Sequence, residues 1–306
     1  MKTKLEVGFF GLGRMGYNMC SRILKSDLIN LHVFDRNEEK RKEMIEKGAT
    51  SHATGEDLLK GLWSKRKIVW IMLPAGNITQ EYVELCFKHL NKGDIVIDGG
   101  NSNFKDTLQR VGTAKEKGIH FVDVGVSGGI IAADTGYPMM AGCDEEIYEV
   151  IKPLLDSFGY ENGYGRVGPS GSGHYTKMIH NAVEYGMMQA ISEGFDLLEN
   201  GRFKEQLDLK HIAGIWNNGC VVSSFLMEMV SRALKKEGGL EGIAPYVEDN
   251  GEGRWSSIEA MEYSVPFVVN TYALHARYIS RDKNSYTFRM LSAMRNEFGG
   301  HAIKKK

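Results

Sequence analysis

The chain has 306 residues, of which 42% are hydrophobic and 25% charged, an ordinary composition for a globular protein that is long enough for two domains. The formal net charge of −1 gives no indication of binding to nucleic acid or to an anionic membrane, so an anionic ligand must be held by cations gathered locally. The four cysteines form no C-x-x-C pair, the first residues form no apolar leader, and no apolar run approaches the roughly 20 residues of a membrane span. We therefore expect a cytoplasmic enzyme without a disulfide framework or a bound metal.

Short apolar runs alternate with amphipathic stretches in the first half of the chain. The runs predicted as strands are residues 6–10, 31–35, 67–73, 94–98, 121–126 and 137–142. The predicted helices between them lie near residues 14–27, 37–47, 77–90, 103–117 and 144–156. This alternation indicates right-handed βαβ units and a parallel sheet covered by helices on both faces.

The second half of the chain almost lacks strand signals. Its helical patterns cover residues 172–200, 205–216, 222–236, 256–262 and 267–282, with a loop rich in glycine and acidic residues at 235–255. Glycine and proline cluster in "GYGRVGPSGSG" (163–173), where we expect the domain boundary. The predicted fold class is α/β, with an N-terminal Rossmann-type doubly wound sheet (1–167) followed by an all-α C-terminal domain (168–306).

A glycine pattern follows the first predicted strand. In "GFFGLGRMG", Gly11 permits a tight turn, Gly13 lets the backbone approach a pyrophosphate, and Gly16 allows a helix to pack closely on the sheet. Asp35 ends the second strand, where a carboxylate accepts hydrogen bonds from the ribose hydroxyls of NAD and repels the additional phosphate of NADP. Arg36 follows it and would stack on adenine or meet that phosphate. A plain structural turn is the simpler alternative, but the strand–turn–helix context favours NAD as cofactor, with NADP binding more weakly.

Two polar turns follow later predicted strands. "DGGNSNFKDT" (98–107) contains Asn101, and "DVGVSGG" (123–129) ends in Ser127, Gly128 and Gly129. A helix cap and a β-turn are their simpler interpretations. Ligands bind at the carboxyl ends of the strands in open α/β sheets, so the two turns together favour a site. The predicted cofactor-binding residues also include Leu12, Arg14, Met15, Leu73, Pro74, Ala75 and Asn101.

Polar residues recur at helical spacing in "KMIHNAVEYG" (177–186). Lys177, His180, Asn181, Glu184 and Tyr185 lie at i, i+3, i+4, i+7 and i+8, which is one face of an α-helix. A solvated helix face is the simpler interpretation of this stripe. A base and an acid on one rigid helix also suit general acid–base catalysis, and the two polar turns favour that interpretation.

Together these motifs resemble the 6-phosphogluconate dehydrogenase family of the β-hydroxyacid dehydrogenase superfamily. The segments that carry the resemblance are "GFFGLGRMG", "DGGNS", "DVGVSGG", "GSGHYTKMIHNAVEYG", "IEAMEYSVPF" with "ALHARYIS", and "RNEFGGH". They extend over almost the whole chain, whose length is that of the short form of the family. The resemblance implies oxidative decarboxylation of 6-phosphogluconate to ribulose 5-phosphate and CO2 with reduction of NAD, as in the pentose phosphate pathway and gluconate utilisation.

The resemblance also implies roles for individual residues. Lys177 matches the family's general base, Glu184 matches its general acid, and Asn181 acts beside them. Tyr185 and Arg277 match groups that hold the substrate phosphate. The residues that match substrate ligands are Asn101, Ser127, Gly128, Gly129, His180, Asn181, Tyr185, Arg277, Arg295 and His301. The last two belong to a tail motif that reaches a neighbouring subunit's site, which implies a homodimer or a tetramer.

The chain departs from the family pattern in the loop 249–255. Asn250 and Glu252 stand where longer members have a lysine and a threonine on the phosphate, although Arg254 is close by. Two other functions stay open at this point: a non-decarboxylating 3-hydroxy acid dehydrogenase and a nucleotide-binding regulator without turnover. The cationic tail argues against the first, and the Lys177–Glu184 pair argues against the second.

Overall fold

The computed structural model describes residues 4–236, 240–299 and 302–304. The chain divides into two compact units, Met1–His180 and Asn181–Lys306. The division falls inside one long helix, Ser172–Asn200, which contributes residues to both units.

Strands and helices alternate through the first unit. Its strands are β1 (Leu5–Phe10), β2 (Ile29–Phe34), β3 (Thr50–Ser51), β4 (Ile68–Ile71), β5 (Ile95–Asp98), β6 (His120–Val126), β7 (Tyr137–Gly142) and β8 (Gly159–Gly168). Its helices are α1 (Arg14–Ile23), α2 (Glu38–Glu46), α3 (Gly55–Gly61), α4 (Asn77–His89), α5 (Phe104–Glu116), α6 (Ala132–Thr135) and α7 (Glu145–Phe158).

The eight strands form one sheet in the order β3-β2-β1-β4-β5-β6-β7-β8. All neighbouring pairs are parallel except β6 and β7, which are antiparallel. The predicted parallel sheet is therefore found, with β6 and β7 as its one antiparallel pair within the described residues. The antiparallel pairing follows from the short connection between β6 and β7 through α6, since a parallel crossover needs a dozen or more residues.

Two hydrophobic clusters receive alternate side chains of the central strands. In β1, Val7 and Phe9 belong to one cluster and Phe10 to the other. The alternation continues in the neighbouring strands, with Ile68, Trp70, Ile95, Ile97, Val122 and Val124 in the first cluster and Val69, Ile71, Val96 and Phe121 in the second. Successive strand residues face opposite sides of a sheet, so both faces are buried, as the runs of apolar residues predict.

Several elements of the first unit were not predicted. Strand β8 has the sequence GYENGYGRVG, with four glycines and a single β-branched residue, Val167, and none of its residues is buried. It therefore shows no apolar alternation that would signal a strand. Strand β3 is only two residues long, and helix α3 contains two glycines. Such short or glycine-containing elements depend on tertiary contacts more than on local pattern.

The second unit is helical. After α8 (Ser172–Asn200) come α9 (Leu209–Trp216), α10 (Phe225–Lys235), α11 (Glu252–Glu262), α12 (Val268–Arg281) and α13 (Tyr286–Gly299). Helix α13 was not predicted, and α11 begins four residues earlier than the predicted segment at 256. The predicted fold class is confirmed: a Rossmann-type sheet is followed by a helical region. Within the described residues, every helix is too short or too polar to cross a bilayer.

Candidate active site

The glycine turn between β1 and α1 has the geometry that its pattern predicts. Gly11 has φ +99°, and a Cβ there would overlap the carbonyl oxygen of Met72. A Cβ on Gly16 would overlap the carbonyl oxygen of Gly11, whereas the space beside Gly13 is open. Gly13 is the N-cap of α1 and makes no side-chain cap bond. The first backbone N–H groups of this uncapped helix end therefore fit a pyrophosphate.

Asp35 connects the end of β2 to this turn. Its Oδ2 accepts a hydrogen bond from the backbone N–H of Leu12 at 2.6 Å, and its Oδ1 accepts one from Asn37 at 2.7 Å. Each carboxylate oxygen has a second lone pair, so these bonds leave room for ribose hydroxyls. Contact of Asp35 with ribose stays a prediction, while its role in holding the glycine turn is a finding that the sequence did not suggest.

The segment Leu73–Ala75 follows β4 and is held by a residue of helix α4. The buried Thr79 donates its hydroxyl to the carbonyl oxygen of Pro74 at 2.8 Å. Strands β2 and β3 lie on one side of β1, and β4 and the later strands lie on the other, so the strand order reverses at β1. Dinucleotides bind at such a switch point, and the cofactor-binding residues predicted after β1, β2 and β4 lie at its carboxyl edge.

A buried ion pair holds the turn that contains Asn101. The carboxylate of Asp98 accepts hydrogen bonds from the backbone N–H of Gly100 (3.0 Å), the hydroxyl of Ser102 (2.8 Å) and the guanidinium of Arg110 (2.8 Å). The Asp98 and Arg110 side chains are 0% and 3% exposed. Asn101 itself is exposed at the tip of this turn.

The Ser127 turn lies beside the Asn101 turn. Gly128 and Gly129 have φ values of +95° and +54°, a backbone region that favours glycine. The register pairs Asp98, the last residue of β5, with Asp123, and β6 runs three residues further, to Val126, before the Ser127 turn. The structure therefore brings the two predicted polar turns to one edge of the sheet.

Lys177 lies on the first turns of α8, packed against strand β6. A Cβ on Gly125 would overlap the Cβ of Lys177, and one on Gly173 would overlap the carbonyl oxygen of Asp123. Lys177 is 7% exposed, and its Nζ lies 3.5 Å from Nδ1 of His180. The two glycines therefore let the helix that carries Lys177 approach the strand that leads to Ser127.

The carboxylate of Asp123 ties the start of α8 to the sheet. Its Oδ1 accepts from the backbone N–H of Gly171 at 2.5 Å, and its Oδ2 accepts from that of His174 at 2.7 Å. Burial raises the pKa of Asp123, while the nearby His174 opposes the rise. His174 is buried and its Nδ1 lies 2.8 Å from the hydroxyl of Thr107. Sequence reasoning missed this anchor, because the acid precedes the helix by almost 50 residues.

In the second unit, Asn181 and Tyr185 contact the loop that precedes α11. The Asn181 amide donates to Oε2 of Glu252, which also accepts from the amide of Asn250 at 3.1 Å. The Tyr185 hydroxyl donates to Oδ1 of Asn250 at 2.8 Å. Asn181, Tyr185 and Glu252 are all buried. The loop is therefore bonded to the predicted site face of α8.

Arg277 stacks on Tyr185, so the structure brings together the two residues expected to hold the substrate phosphate. The guanidinium carbon lies 3.4 Å from the ring centroid, and Nη1 donates to the carbonyl oxygen of Glu248 at 2.6 Å. Burial is the main cause of a raised Tyr185 pKa, which Arg277 opposes.

Three further residues were predicted for the site: Glu184, Arg295 and His301. Glu184 is half-buried on α8, and Arg295 is exposed on α13. His301 lies outside the described residues, so its predicted role stays a prediction. In the described part of the chain, no group of three or more His, Cys, Asp or Glu side chains is arranged to hold a metal ion.

Comparison with known proteins identifies the family. Residues 6–168 match the NAD binding domain of 6-phosphogluconate dehydrogenase, and residues 173–293 match the 6-phosphogluconate dehydrogenase C-terminal domain. The chain belongs to the 6-phosphogluconate dehydrogenase family. It is thus an oxidoreductase with an NAD(P)-binding domain, and the resemblance inferred from its motifs is confirmed.

Family relatives of two lengths match the chain. It is 37% identical to YqeC of Bacillus subtilis (strain 168) over 302 residues, covering 99% of this chain and 100% of YqeC. It is 35% identical to the 6-phosphogluconate dehydrogenase, NAD(+)-dependent, decarboxylating, of Haloferax volcanii, covering 99% of both chains. A longer Bacillus subtilis relative, the NADP(+)-dependent, decarboxylating enzyme, is 34% identical, and the match covers 92% of this chain but 62% of that one.

A solved structure of a 6-phosphogluconate dehydrogenase shares the same architecture. The Plasmodium falciparum enzyme matches with a TM-score of 0.83 and 29% identity, over 98% of this chain and 66% of that one. A 3-hydroxyisobutyrate dehydrogenase from Mycobacterium tuberculosis matches with a TM-score of 0.71 at 17% identity, over 92% of this chain and 94% of that one. This second likeness shows a shared fold.

Proposed function

We propose that this protein is an NAD-preferring, decarboxylating 6-phosphogluconate dehydrogenase. The observation that carries the proposal is the match over 99% of both chains to the Haloferax volcanii enzyme, which is named NAD(+)-dependent and decarboxylating. The proposed substrate is 6-phospho-D-gluconate, and the products are ribulose 5-phosphate, CO2 and reduced NAD.

Lys177 is the proposed general base. It takes the proton of the C3 hydroxyl as the substrate is oxidised at C3, a step for which the bound dinucleotide supplies the two-electron acceptor. Only a neutral amine can take this proton, so Lys177, which is 7% exposed, is proposed to act in its neutral form. Protonated Lys177 then donates to the oxygen at C3 as the bond between C1 and C2 breaks and its electrons move toward the new carbonyl.

Glu184 is the proposed general acid. After CO2 leaves, the enediol needs a proton on the carbon that becomes C1 of ribulose 5-phosphate. Glu184 lies seven residues after Lys177 on the same continuous helix, so the spacing of acid and base along that helix is fixed. Asn181 and His180, between them in sequence, are proposed substrate ligands, as are Asn101 and the Ser127–Gly129 turn.

The dianionic phosphate is proposed to bind Arg277, whose guanidinium is already immobilised on the Tyr185 ring. An ordered guanidinium loses little side-chain entropy when it forms a bidentate bond to phosphate. Arg295 and His301 of a second copy are proposed to add positive charge. The chain's net charge of −1 means that such local cations must supply the attraction.

The preference for NAD is supported by Asp35 at the carboxyl end of β2. A carboxylate there accepts from two ribose hydroxyls and repels a phosphate on the 2′ oxygen. The backbone bonds from Leu12 and Asn37 hold that carboxylate in place. Relatives of both cofactor types match the chain, so Asp35 supports the preference that the match to the NAD(+)-dependent relative suggests.

We also propose that the protein assembles as a dimer or a tetramer. Helices α12 and α13 expose many large apolar side chains, an arrangement typical of an interaction surface. These side chains are Val268, Val269, Tyr272, Ile279, Tyr286, Phe288, Met290, Leu291 and Met294. Mixing Lys177→Met and Arg295→Ala subunits tests whether the tail is shared: the site with intact Lys177 would receive an intact Arg295, so activity should return on mixing.

The direct test supplies 6-phosphogluconate with NAD or NADP and records reduced cofactor and released CO2. The proposal expects equal amounts of both products and a higher kcat/KM with NAD. Reduced cofactor without CO2 would instead favour a non-decarboxylating 3-hydroxy acid dehydrogenase. Cofactor binding without turnover would favour a nucleotide-binding regulator.

A further inference from the structure

Glu252 is a buried acid at the start of helix α11. Glu252 is 2% exposed, and its Oε2 accepts hydrogen bonds from the side-chain amides of Asn181 and Asn250. As the first residue of the helix, it lies where the helix dipole stabilises negative charge. The carboxylate is therefore part of an internal network and is not turned toward solvent.

Asn250 is exposed, but its polar atoms bond to Tyr185 and Glu252. Its Oδ1 accepts from the Tyr185 hydroxyl at 2.8 Å and from the backbone N–H of Glu252 at 3.2 Å. Its Nδ2 donates to Glu252 at 3.1 Å, and its backbone N–H donates to Tyr185 at 3.1 Å. The amide oxygen thus accepts two bonds and Nδ2 donates one, so only the second N–H of Nδ2 is left for a ligand.

Two glycines allow the loop to approach α8 this closely. Gly251 has φ +92°, a conformation that other residues rarely adopt. A Cβ on Gly253 would lie 2.8 Å from Cε2 of Tyr185, which is too close for any larger residue. The backbone is therefore shaped to bring Glu252 against the face of α8 that carries Asn181 and Tyr185.

A carboxylate beside Asn181 determines which way its amide points. The nitrogen of the amide faces Oε2 of Glu252. The reversed amide would bring its oxygen against a carboxylate oxygen, replacing a charge-assisted hydrogen bond with repulsion. A threonine hydroxyl can donate as well as accept, so it would not impose this orientation.

We propose that Glu252 is a positioning residue: it fixes the orientation of the Asn181 amide and makes the segment 249–252 a support for the site instead of a phosphate-binding loop. The inference rests on the proposed function, since it concerns the substrate contact made by Asn181. It adds that the substrate phosphate is held without the side chain at position 252, which is a buried carboxylate.

The first test compares Glu252→Gln with Glu248→Gln. The second substitution removes the same charge from an exposed residue of the same loop and serves as the matched control. Oε2 of Glu252 accepts from both Asn181 and Asn250, and a neutral glutamine oxygen in its place makes weaker hydrogen bonds than a carboxylate oxygen does. The glutamine amide can also turn its nitrogen toward Asn181, which removes the acceptor altogether. We expect Glu252→Gln to lower kcat about tenfold to hundredfold, the scale of a misplacement near 1 Å, with less than about a threefold change in the KM for 6-phosphogluconate. A lower KM with unchanged kcat would overturn the proposal, because it would mean that Glu252 repels the phosphate.

The second test does not depend on turnover. Asn181→Asp places a carboxylate against that of Glu252 and should lower the melting temperature. Combining Asn181→Asp with Glu252→Gln exchanges the donor and the acceptor of this hydrogen bond and should restore the melting temperature. A double variant no more stable than Asn181→Asp alone would overturn the pairing of these two side chains. A wild-type protein that does not oxidise 6-phosphogluconate would reject the proposed function, and the exchange experiment would still decide the role of Glu252 in orienting Asn181.

Discussion

Gly125 lies so close to Lys177 that a Cβ on the glycine would overlap the Cβ of the lysine and lie 2.9 Å from its Cγ. The same Cβ would also lie 2.9 Å from the carbonyl oxygen of Gly173. A missing side chain on strand β6 therefore sets the distance between the sheet and the proposed general base. The contact explains why a glycine stands inside a strand, where it otherwise weakens the structure.

Gly125→Ala should displace Lys177. We expect kcat to fall up to about a hundredfold, because misplacing a reacting group by about 1 Å has that effect. The affinity for NAD should change little, since the glycine turn after β1 is elsewhere in the sheet. The control is Gly112→Ala, where a Cβ meets no atom within 4 Å. Steady-state kinetics with both variants check the prediction, and equal activities would contradict it.

Lys177→Met should abolish turnover, because no amine remains to take the proton from C3. Methionine has a similar length and keeps most of the packing against Gly125. Calorimetric titration with NAD should give nearly the wild-type affinity. A parallel loss of NAD binding and turnover would mean that Lys177 supports the fold, not the chemistry.

Asp35→Ala should narrow the preference for NAD over NADP. Loss of the carboxylate removes hydrogen bonds to the ribose and repulsion of the 2′-phosphate, and charged hydrogen bonds of this kind correspond to about a tenfold to hundredfold change in kcat/KM. Asp35→Asn is the control, because it removes the charge but retains an acceptor for the backbone N–H of Leu12, which holds the glycine turn. The measurement is the ratio of kcat/KM for the two cofactors, and an unaltered ratio in Asp35→Ala would remove Asp35 from cofactor selection.

Arg110→Met should strongly destabilise the first unit. The substitution leaves the Asp98 carboxylate buried without its ion-pair partner, which costs about 3–5 kcal/mol in comparable pairs. Lys152→Met is the control, because Lys152 and Asp156 form an exposed pair with side chains that are 43% and 44% exposed. Urea unfolding should separate the two variants clearly, and similar midpoints would show that the Asp98 turn does not depend on this pair.

Asp123 should make the free energy of unfolding depend on pH. Burial raises its pKa in the folded state above the ordinary value of 3.8, so the folded protein keeps this proton to higher pH than the unfolded chain does. The contribution of Asp123 to stability therefore falls as pH rises from 3.8 through the raised pKa. Asp123→Asn removes this dependence.

The check is the difference in unfolding free energy between the wild type and Asp123→Asn at several pH values from 3.8 upward. The unfolding free energy of the wild type minus that of Asp123→Asn should decrease as pH rises. Asp27→Asn, a change at an exposed aspartate, provides the control for net charge. A difference that rises with pH would mean that the two backbone N–H bonds to Asp123 outweigh its burial.

The sequence by itself determined the fold class and the family. Alternating strands and helices, the glycine turn at 11–16 and the polar face of 177–185 are local patterns, and their periodicity or turn chemistry is readable within a few residues. The family resemblance followed from these motifs because they extend over nearly the whole chain. The sequence also identified Asn250 and Glu252 as departures from the longer relatives, without indicating what they contact.

Only the tertiary structure decided how distant residues are paired. The direction of β7 depends on a connection too short for a parallel crossover. Asp123 bonds to residues about 50 positions away at the start of α8, and Glu252 bonds to Asn181 across 71 positions. Such pairs leave no periodic trace in the sequence, because a hydrogen bond depends on the positions of two atoms in space and not on their separation along the chain.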